Sequence, residues 1–286
     1  MSITVAAAEA STPVSRPVVA ARLTFPGVLR GEWTKLLSLR STWWVLAATV
    51  VLITGISLAV AFSLDAVAAD LAAAPGAAAP ASGAEVVSGG FQMGMLTIAV
   101  LGALLITGEY STGMIRSTLA AVPTRVPVLA AKAVVLAAVT VVVATVSIAL
   151  AYVVTVPLLA DLDLVPALDD GRTWQVFGGT VYFLVAAALF ALGVGTLLRS
   201  SAAAITVALT VLLLLPGVLS FIGLDWVEAI VDYLPLPASG AFLGGGEDSL
   251  SSAGQELSAT TGVLVIAAYA VVPLIAGAVV LRRRDA

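Results

Sequence analysis

Six long apolar segments, none of which contains a charged residue, dominate this sequence. All 13 basic and 17 acidic residues lie outside them. A helix that crosses a bilayer needs about 20 apolar residues, and a charge at its centre costs about 2.5–3.5 kcal/mol. Backbone groups in lipid must be satisfied internally, and the segments are too long and continuous for barrel strands. The sequence therefore predicts an all-α integral membrane protein with six transmembrane helices, at residues 43–63, 89–107, 133–158, 174–198, 201–224 and 260–281.

The composition excludes several functional classes. Hydrophobic residues make up 60% and charged residues 10% of the 286, and both Cys and His are absent. Disulfides, Cys or His metal ligands and imidazole bases are therefore impossible, so we expect no metal site and no catalytic residue. The net charge of −4 gives no basic footprint for nucleic acid. No GxxxxGK[ST] phosphate loop occurs, so we expect no ATP site of that type in this chain.

The distribution of charge predicts the orientation in the membrane. Twelve of the 13 basic residues lie on one side of the six segments, with Arg172 as the exception. Thirteen of the 17 acidic residues lie on the opposite side. Because loops rich in Lys and Arg stay in the cytoplasm, both termini are predicted to be cytoplasmic. Residues 1–24 are interrupted by charges and prolines, which predicts a disordered cytoplasmic leader ahead of a six-helix domain over residues 25–286.

An amphipathic helix is predicted just before the first span, over residues 26–41. Its apolar residues recur at i, i+4, i+7 and i+8, while Arg30, Thr34, Lys35 and Ser38 occupy the opposite arc. Such a helix is expected to lie along the inner membrane surface and to contact lipid. Its apolar face consists of Leu29, Trp33, Leu36 and Leu37.

Two connections between the spans carry further signals. The inner loop 108–127 mixes polar residues with a short helical stretch from Met114 to Ala121. The external segment 225–259 is 35 residues long, and a structureless loop of that length is unusual unless it is functional. Its spacing predicts two short helices that dip into the outer leaflet or cap the bundle. The apolar face of the first consists of Trp226, Ile230, Tyr233 and Leu234.

Two short motifs resemble one known family. The run Arg30-Gly31-Glu32-Trp33-Thr34-Lys35-Leu36, followed by Leu39-Arg40-Ser41-Thr42-Trp43-Trp44, resembles the entry of ATP-binding-cassette (ABC) exporter permeases of the second membrane-subunit class. The run Gly108-Glu109-Tyr110-Ser111-Thr112-Gly113-Met114-Ile115-Arg116 resembles that family's G-E-[YF]-x-x-G-x-[IL]-R segment. Both motifs stand at the expected places in a six-span layout.

The resemblance implies a set of roles. Residues 26–41, including Lys35, would form an elbow helix, with Trp33 and Lys35 anchored to lipid and headgroups. Residues 225–243 would form external re-entrant helices. Two permease subunits, identical or paralogous, would pair above separate ATPase subunits that bind ATP and Mg. Residues 109–119 would form a coupling helix that docks on the ATPase, oriented by Glu109 pairing with Arg116 or capping backbone N–H groups. The docking residues would be Tyr110, Met114, Ile115 and Arg116.

Other membrane functions stay open at this point. A scaffold or sensor that moves no solute would share the six spans, and so would a stand-alone carrier. The apolar segments hold no ionisable group, which argues against coupling to an ion gradient. Arg outnumbers Lys by 11 to 2, which suggests a bacterial protein and hence the plasma membrane. The substrate cannot be inferred.

Overall fold

The computed structural model describes residues 24–73, 82–115, 117, 125–243 and 257–283, and these residues form helices without strands. The all-α prediction is confirmed, and six helices or helix pairs among these residues are long and apolar enough to cross a membrane. The predicted leader lies almost wholly outside the described residues. The helices are α1 (Phe25–Ser38), α2 (Arg40–Ala73), α3 (Gly83–Ser88), α4 (Phe91–Ser111), α5 (Val126–Asp161), α6 (Gly171–Leu198), α7 (Ser201–Leu209), α8 (Leu215–Ser220), α9 (Asp225–Val231), α10 (Pro235–Leu243) and α11 (Ala259–Arg283).

Several helices run beyond the apolar segments that predicted them. The second and third segments were bounded at Thr107 and Ala133, yet α4 continues to Ser111 and α5 begins at Val126. An apolar segment ends at the first charge, whereas the backbone hydrogen bonds of a helix continue past it, because Lys, Arg and Glu are good helix formers. The fifth span is shorter than predicted, because it ends at Ser220 and a turn follows with Gly223 at φ +60°.

The two ends of the bundle differ in charge. One end of the bundle, which we call the basic end, is formed by α1, the last turn of α4, the start of α5, the α6–α7 turn and the last turn of α11. The opposite end, which carries α3, α9 and α10, is the acidic end. α1 begins with Thr24, whose hydroxyl accepts a hydrogen bond from the Gly27 N–H, and Pro26 lies in its first turn. At its other end, α1 leads into α2 at the basic end of the bundle.

Helix α6 lies at the centre of the bundle, where it packs against α4, α5, α7 and α11. Small residues let the neighbouring backbones approach closely. A Cβ at Gly193 would lie 2.7 Å from the Leu274 nitrogen of α11, and one at Gly195 would lie 2.8 Å from Ile106 Cγ2 of α4. Gly193 and Gly195 thus permit close approach of α6 to α11 and α4.

A tight hairpin joins α6 to α7 through the two-residue connection Arg199-Ser200. Arg199 takes the left-handed conformation at φ +57° and its N–H donates to the Gly195 carbonyl at 3.0 Å, which ends α6. The fifth span then contains a π-helical turn over Thr210–Leu214 directly before Pro216. Pro216 has no N–H to donate, so the helical pattern changes at this point in the span.

Two short helices, α9 and α10, are present where the sequence predicted them at the acidic end. Of the predicted apolar face, Leu234 is buried, whereas Trp226, Ile230 and Tyr233 are at least half exposed. The residue of α9 that packs inward is instead Val227, which is 2% exposed. Burial raises the pKa of the Asp232 carboxyl above its ordinary value. Whether these helices enter the bilayer stays a prediction.

Replacing Gly193 with Ala should destabilise the bundle by about 1–3 kcal/mol, because the added methyl group meets the backbone of Pro273 and Leu274. Gly178→Ala is the matched control, because it lies on the same helix and its added Cβ meets nothing within 4 Å. Both changes replace Gly with Ala inside α6, so the gain in helix propensity is the same in the two variants. Thermal unfolding in detergent should show a lower midpoint for Gly193→Ala alone. Equal midpoints for the two variants would contradict the packing argument.

Candidate functional site

Four charged side chains from three helices meet at the basic end. Glu32 and Lys35 come from α1, Glu109 from the last turn of α4 and Lys132 from the second turn of α5. The Lys132 ammonium donates to Glu32 Oε2 at 2.6 Å and to Glu109 Oε1 at 2.5 Å. Lys35 donates to the same Glu109 Oε1 and lies 3.7 Å from Glu32 Oε1. We call these four residues the charge quartet.

The charge quartet is buried and electrically balanced. The Lys132 side chain is 0% exposed, and those of Glu109 and Glu32 are 4% and 6% exposed. The Lys35 side chain forms the outer edge and is 25% exposed. Two carboxylates face two ammonium groups, so no net charge is buried. Such an arrangement is required because an isolated buried ion is very unfavourable.

Apolar side chains pack beside the buried part of the quartet. Leu36 of α1, Leu105 of α4 and Leu136 of α5 belong to one cluster of buried side chains beside it. Glu32 and Lys35 reach the same neighbours because residues three apart share a helix face. Within this shell, Glu109 Oε2 has no hydrogen-bond partner among the described residues. The Oε1 atom of Glu109 thus holds both lysines.

A second set of contacts joins the last turn of α4 to the α6–α7 hairpin. The Arg199 guanidinium lies 5.2 Å from the centre of the Tyr110 ring, which is a cation–π contact. One turn earlier, Ser201 Oγ donates to Thr107 Oγ1 at 2.9 Å. These contacts involve one charge at most, so they are weaker than the buried ion pairs on the other side of α4.

A third contact connects α5 with α11. Arg125 precedes α5 with φ +56°, and its Nη1 donates to the Leu281 carbonyl at 3.1 Å. The carbonyls of the last turn of a helix have no partner within the helix, and a basic side chain there also complements the helix dipole. The basic end is therefore connected across all of its elements, and the last turn of α4 and the start of α5 each contact three of the others.

Comparison with known families decides what kind of protein this is. The model of the ABC-2 family transporter proteins matches residues 27–286. The chain belongs to the ABC-2 transporter family. No curated protein matches its sequence. Members of this family are the membrane components of ABC transporters, and six apolar helices agree with that role. The charge quartet thus lies in the membrane component of an ABC transporter.

The predicted coupling segment of this ABC-2 permease is only partly described. Met114 is 42% exposed, Tyr110 is half-buried, and Ile115 is 4% exposed because it packs into the cluster beside the quartet. Met114, Ile115 and Ser117 are helical, and Ser117 Oγ donates to the Met114 carbonyl at 2.8 Å. Arg116 lies outside the described residues. The docking role of these residues stays a prediction.

The predicted elbow helix of the permease exists as α1, but one side chain differs from expectation. Leu36 is buried, Leu29 and Leu37 are half-buried, and Trp33 is 41% exposed. Lys35, expected on the polar arc, binds buried Glu109 with its ammonium, and its contact with headgroups stays a prediction. A charged partner inside the bundle outweighs the amphipathic pattern. Glu109, expected to pair with Arg116 or cap a helix, binds Lys35 and Lys132. Its pairing with Arg116, which lies outside the described residues, stays a prediction.

Lys132 is the functional candidate that sequence reasoning missed. The charge pattern uses Lys132 only as one of the basic residues between the second and third spans, although it directly precedes the apolar segment 133–158. The usable signal was that Glu109 and Lys132, of opposite charge, each border an apolar segment on the same side of the membrane. No group of three or more potential ligands that could hold a metal occurs among the described residues.

We expect Lys132→Met to destabilise the permease by about 3–5 kcal/mol, because it leaves two buried carboxylates facing one ammonium. Lys35→Met should have a smaller effect, since that side chain is 25% exposed and solvent can replace part of the interaction. Thermal unfolding in detergent measures both. An equal loss of stability in the two variants would show that burial of Lys132 does not determine how much its ion pairs contribute to stability.

Proposed function

We propose that this chain is the transmembrane permease subunit of an ABC exporter, and that a separate subunit binds ATP and Mg and hydrolyses ATP. The family match over residues 27–286 carries the proposal. The six membrane-spanning helices and the absence of a phosphate loop from the sequence support it. The chain would thus not be an enzyme itself.

The proposed location is the plasma membrane of a bacterium, with both termini in the cytoplasm. The Lys and Arg residues concentrated at the basic end support this orientation. It turns the quartet and the segment after α4 towards the cytoplasm, where an ATPase would dock. The acidic end, with α9 and α10, would face outward.

In the proposed mechanism, two permease subunits enclose a translocation pathway and two ATPases lie beneath them. ATP binding closes the ATPases, which displaces the coupling segment that begins at Glu109. The displacement favours a second arrangement of the membrane helices, and hydrolysis restores the first. The contacts of the last turn of α4 with α1, α5 and the α6–α7 hairpin support this segment as the point of entry.

The first experiment identifies the partner. The permease is tagged at its C-terminus, extracted gently from native membranes, and its stoichiometric companions are identified. We expect a soluble subunit with a phosphate-loop motif and ATPase activity. Repeated purification of an intact permease without an ATPase would contradict the exporter proposal and favour the scaffold or sensor alternative. Transport that follows an ion gradient and ignores ATP would favour a carrier.

A charge reversal then tests the coupling segment. Arg116→Glu should abolish the ATPase activity that depends on the permease while insertion and expression stay normal, because the change places a negative charge on the proposed docking surface. Arg282→Glu is the matched control, because it makes the same change at an exposed position of the basic end. Normal coupled ATPase activity in Arg116→Glu would contradict the assignment of this segment.

A further inference from the structure

We propose that Lys132 is a positioning residue that makes α1, the last turn of α4 and the start of α5 move as one unit during the transport cycle. The inference rests on the proposed function, because it concerns how motion of the coupling segment passes into the membrane helices. It assigns that transmission to the charge quartet.

The geometry of the quartet makes separation of these three helices unfavourable. The Lys132 ammonium binds carboxylates of two different helices at once, Glu32 of α1 and Glu109 of α4. Glu109 Oε1 in turn holds lysines of two different helices. Moving α4 or α5 away leaves the remaining charges unbalanced, and moving α1 away breaks both the Lys132–Glu32 and the Lys35–Glu109 ion pairs, in which both carboxylates and Lys132 are buried.

The contacts on the other side of α4 are of a different kind. The α6–α7 hairpin is held at this end by the Tyr110–Arg199 contact and by the Ser201–Thr107 hydroxyl pair. Breaking a neutral hydrogen bond or a cation–π contact costs less than breaking a buried ion pair. We therefore expect the hairpin to slide against the end of α4, past the packing of Gly195 on Ile106, while α1 and α5 move together with α4.

Because the sequence contains no cysteine, introduced cysteines can report which helices move together and which move apart. Spin labels are placed on cysteines introduced at Ser38 and Ser111, both exposed, to report the α1–α4 separation. A second pair at Ser111 and Ser200 reports the separation of α4 from the hairpin. Distances are measured in the permease–ATPase complex, in phosphatidylethanolamine–phosphatidylglycerol vesicles, without nucleotide and with ATP and vanadate.

We expect the Ser111–Ser200 distance to shift with nucleotide and the Ser38–Ser111 distance to stay constant. In Lys132→Met, the Ser38–Ser111 distance should become nucleotide-dependent, and the stimulation of ATPase activity by the permease should be lost. Thr140→Val is the matched control. It removes a buried polar group two turns further along α5, outside the quartet, and should behave as the native chain does.

A second variant keeps the test decisive if Lys132→Met fails to fold. Glu109→Gln combined with Lys132→Met removes one charge of each sign and leaves Glu32 facing Lys35. The inference is overturned if the Ser38–Ser111 distance shifts with nucleotide in the native complex, or stays constant in the folded double variant. If no ATPase is present, or neither distance responds to ATP, the proposed function itself fails and the inference fails with it.

Discussion

The arrangement of the basic end follows from the high free energy of an uncompensated charge in an apolar environment. Lys132 is fully buried, so α1 and α4 must both bring a carboxylate to it. This requirement fixes the position of α1 relative to the first three spans more strictly than its amphipathic pattern does. It also explains why Lys35, whose partner Glu109 is buried, turns inward at the edge of the helix. The position of α1 is therefore set by ion pairing as well as by its amphipathic pattern.

Elsewhere the bundle is held together by close contact of small residues. Helix α6 packs against α4 and α11 through Gly193 and Gly195, and Gly102 of α4 lets the Ala188 carbonyl approach within 2.4 Å of where a Cβ would lie. These helix–helix interfaces contain no charged pair that fixes one helix along the other, so the helices resist separation more than they resist sliding. The protein thus combines an ion-paired group of helices around the start of the coupling segment with a glycine-rich interface behind it.

Much of this fold could be predicted from the sequence, since hydropathy alone locates six spans and the two-residue connection Arg199-Ser200 requires a hairpin. The two short external helices could also be predicted, but not which side chains they bury, because Val227 rather than Trp226 packs inward. The quartet could not be predicted. Glu32 and Lys132 are 100 residues apart in the chain, and local periodicity carries no information about contacts of that separation. The π-helical turn before Pro216 likewise depends on hydrogen bonds that no composition signal reports.

The long sequence separations within the quartet also affect how the protein is made. Glu32 is synthesised 100 residues before Lys132, and Lys35 74 residues before Glu109. When the first two spans have entered the bilayer, two carboxylates at the basic end have a single lysine between them, and the balance is reached only when α5 arrives. Docking of α1 is thus completed by the third span, so the order of synthesis is also an order of assembly. A chain that stops short of α5 would carry an unpaired acid at the membrane boundary, which distinguishes an unfinished permease from a complete one.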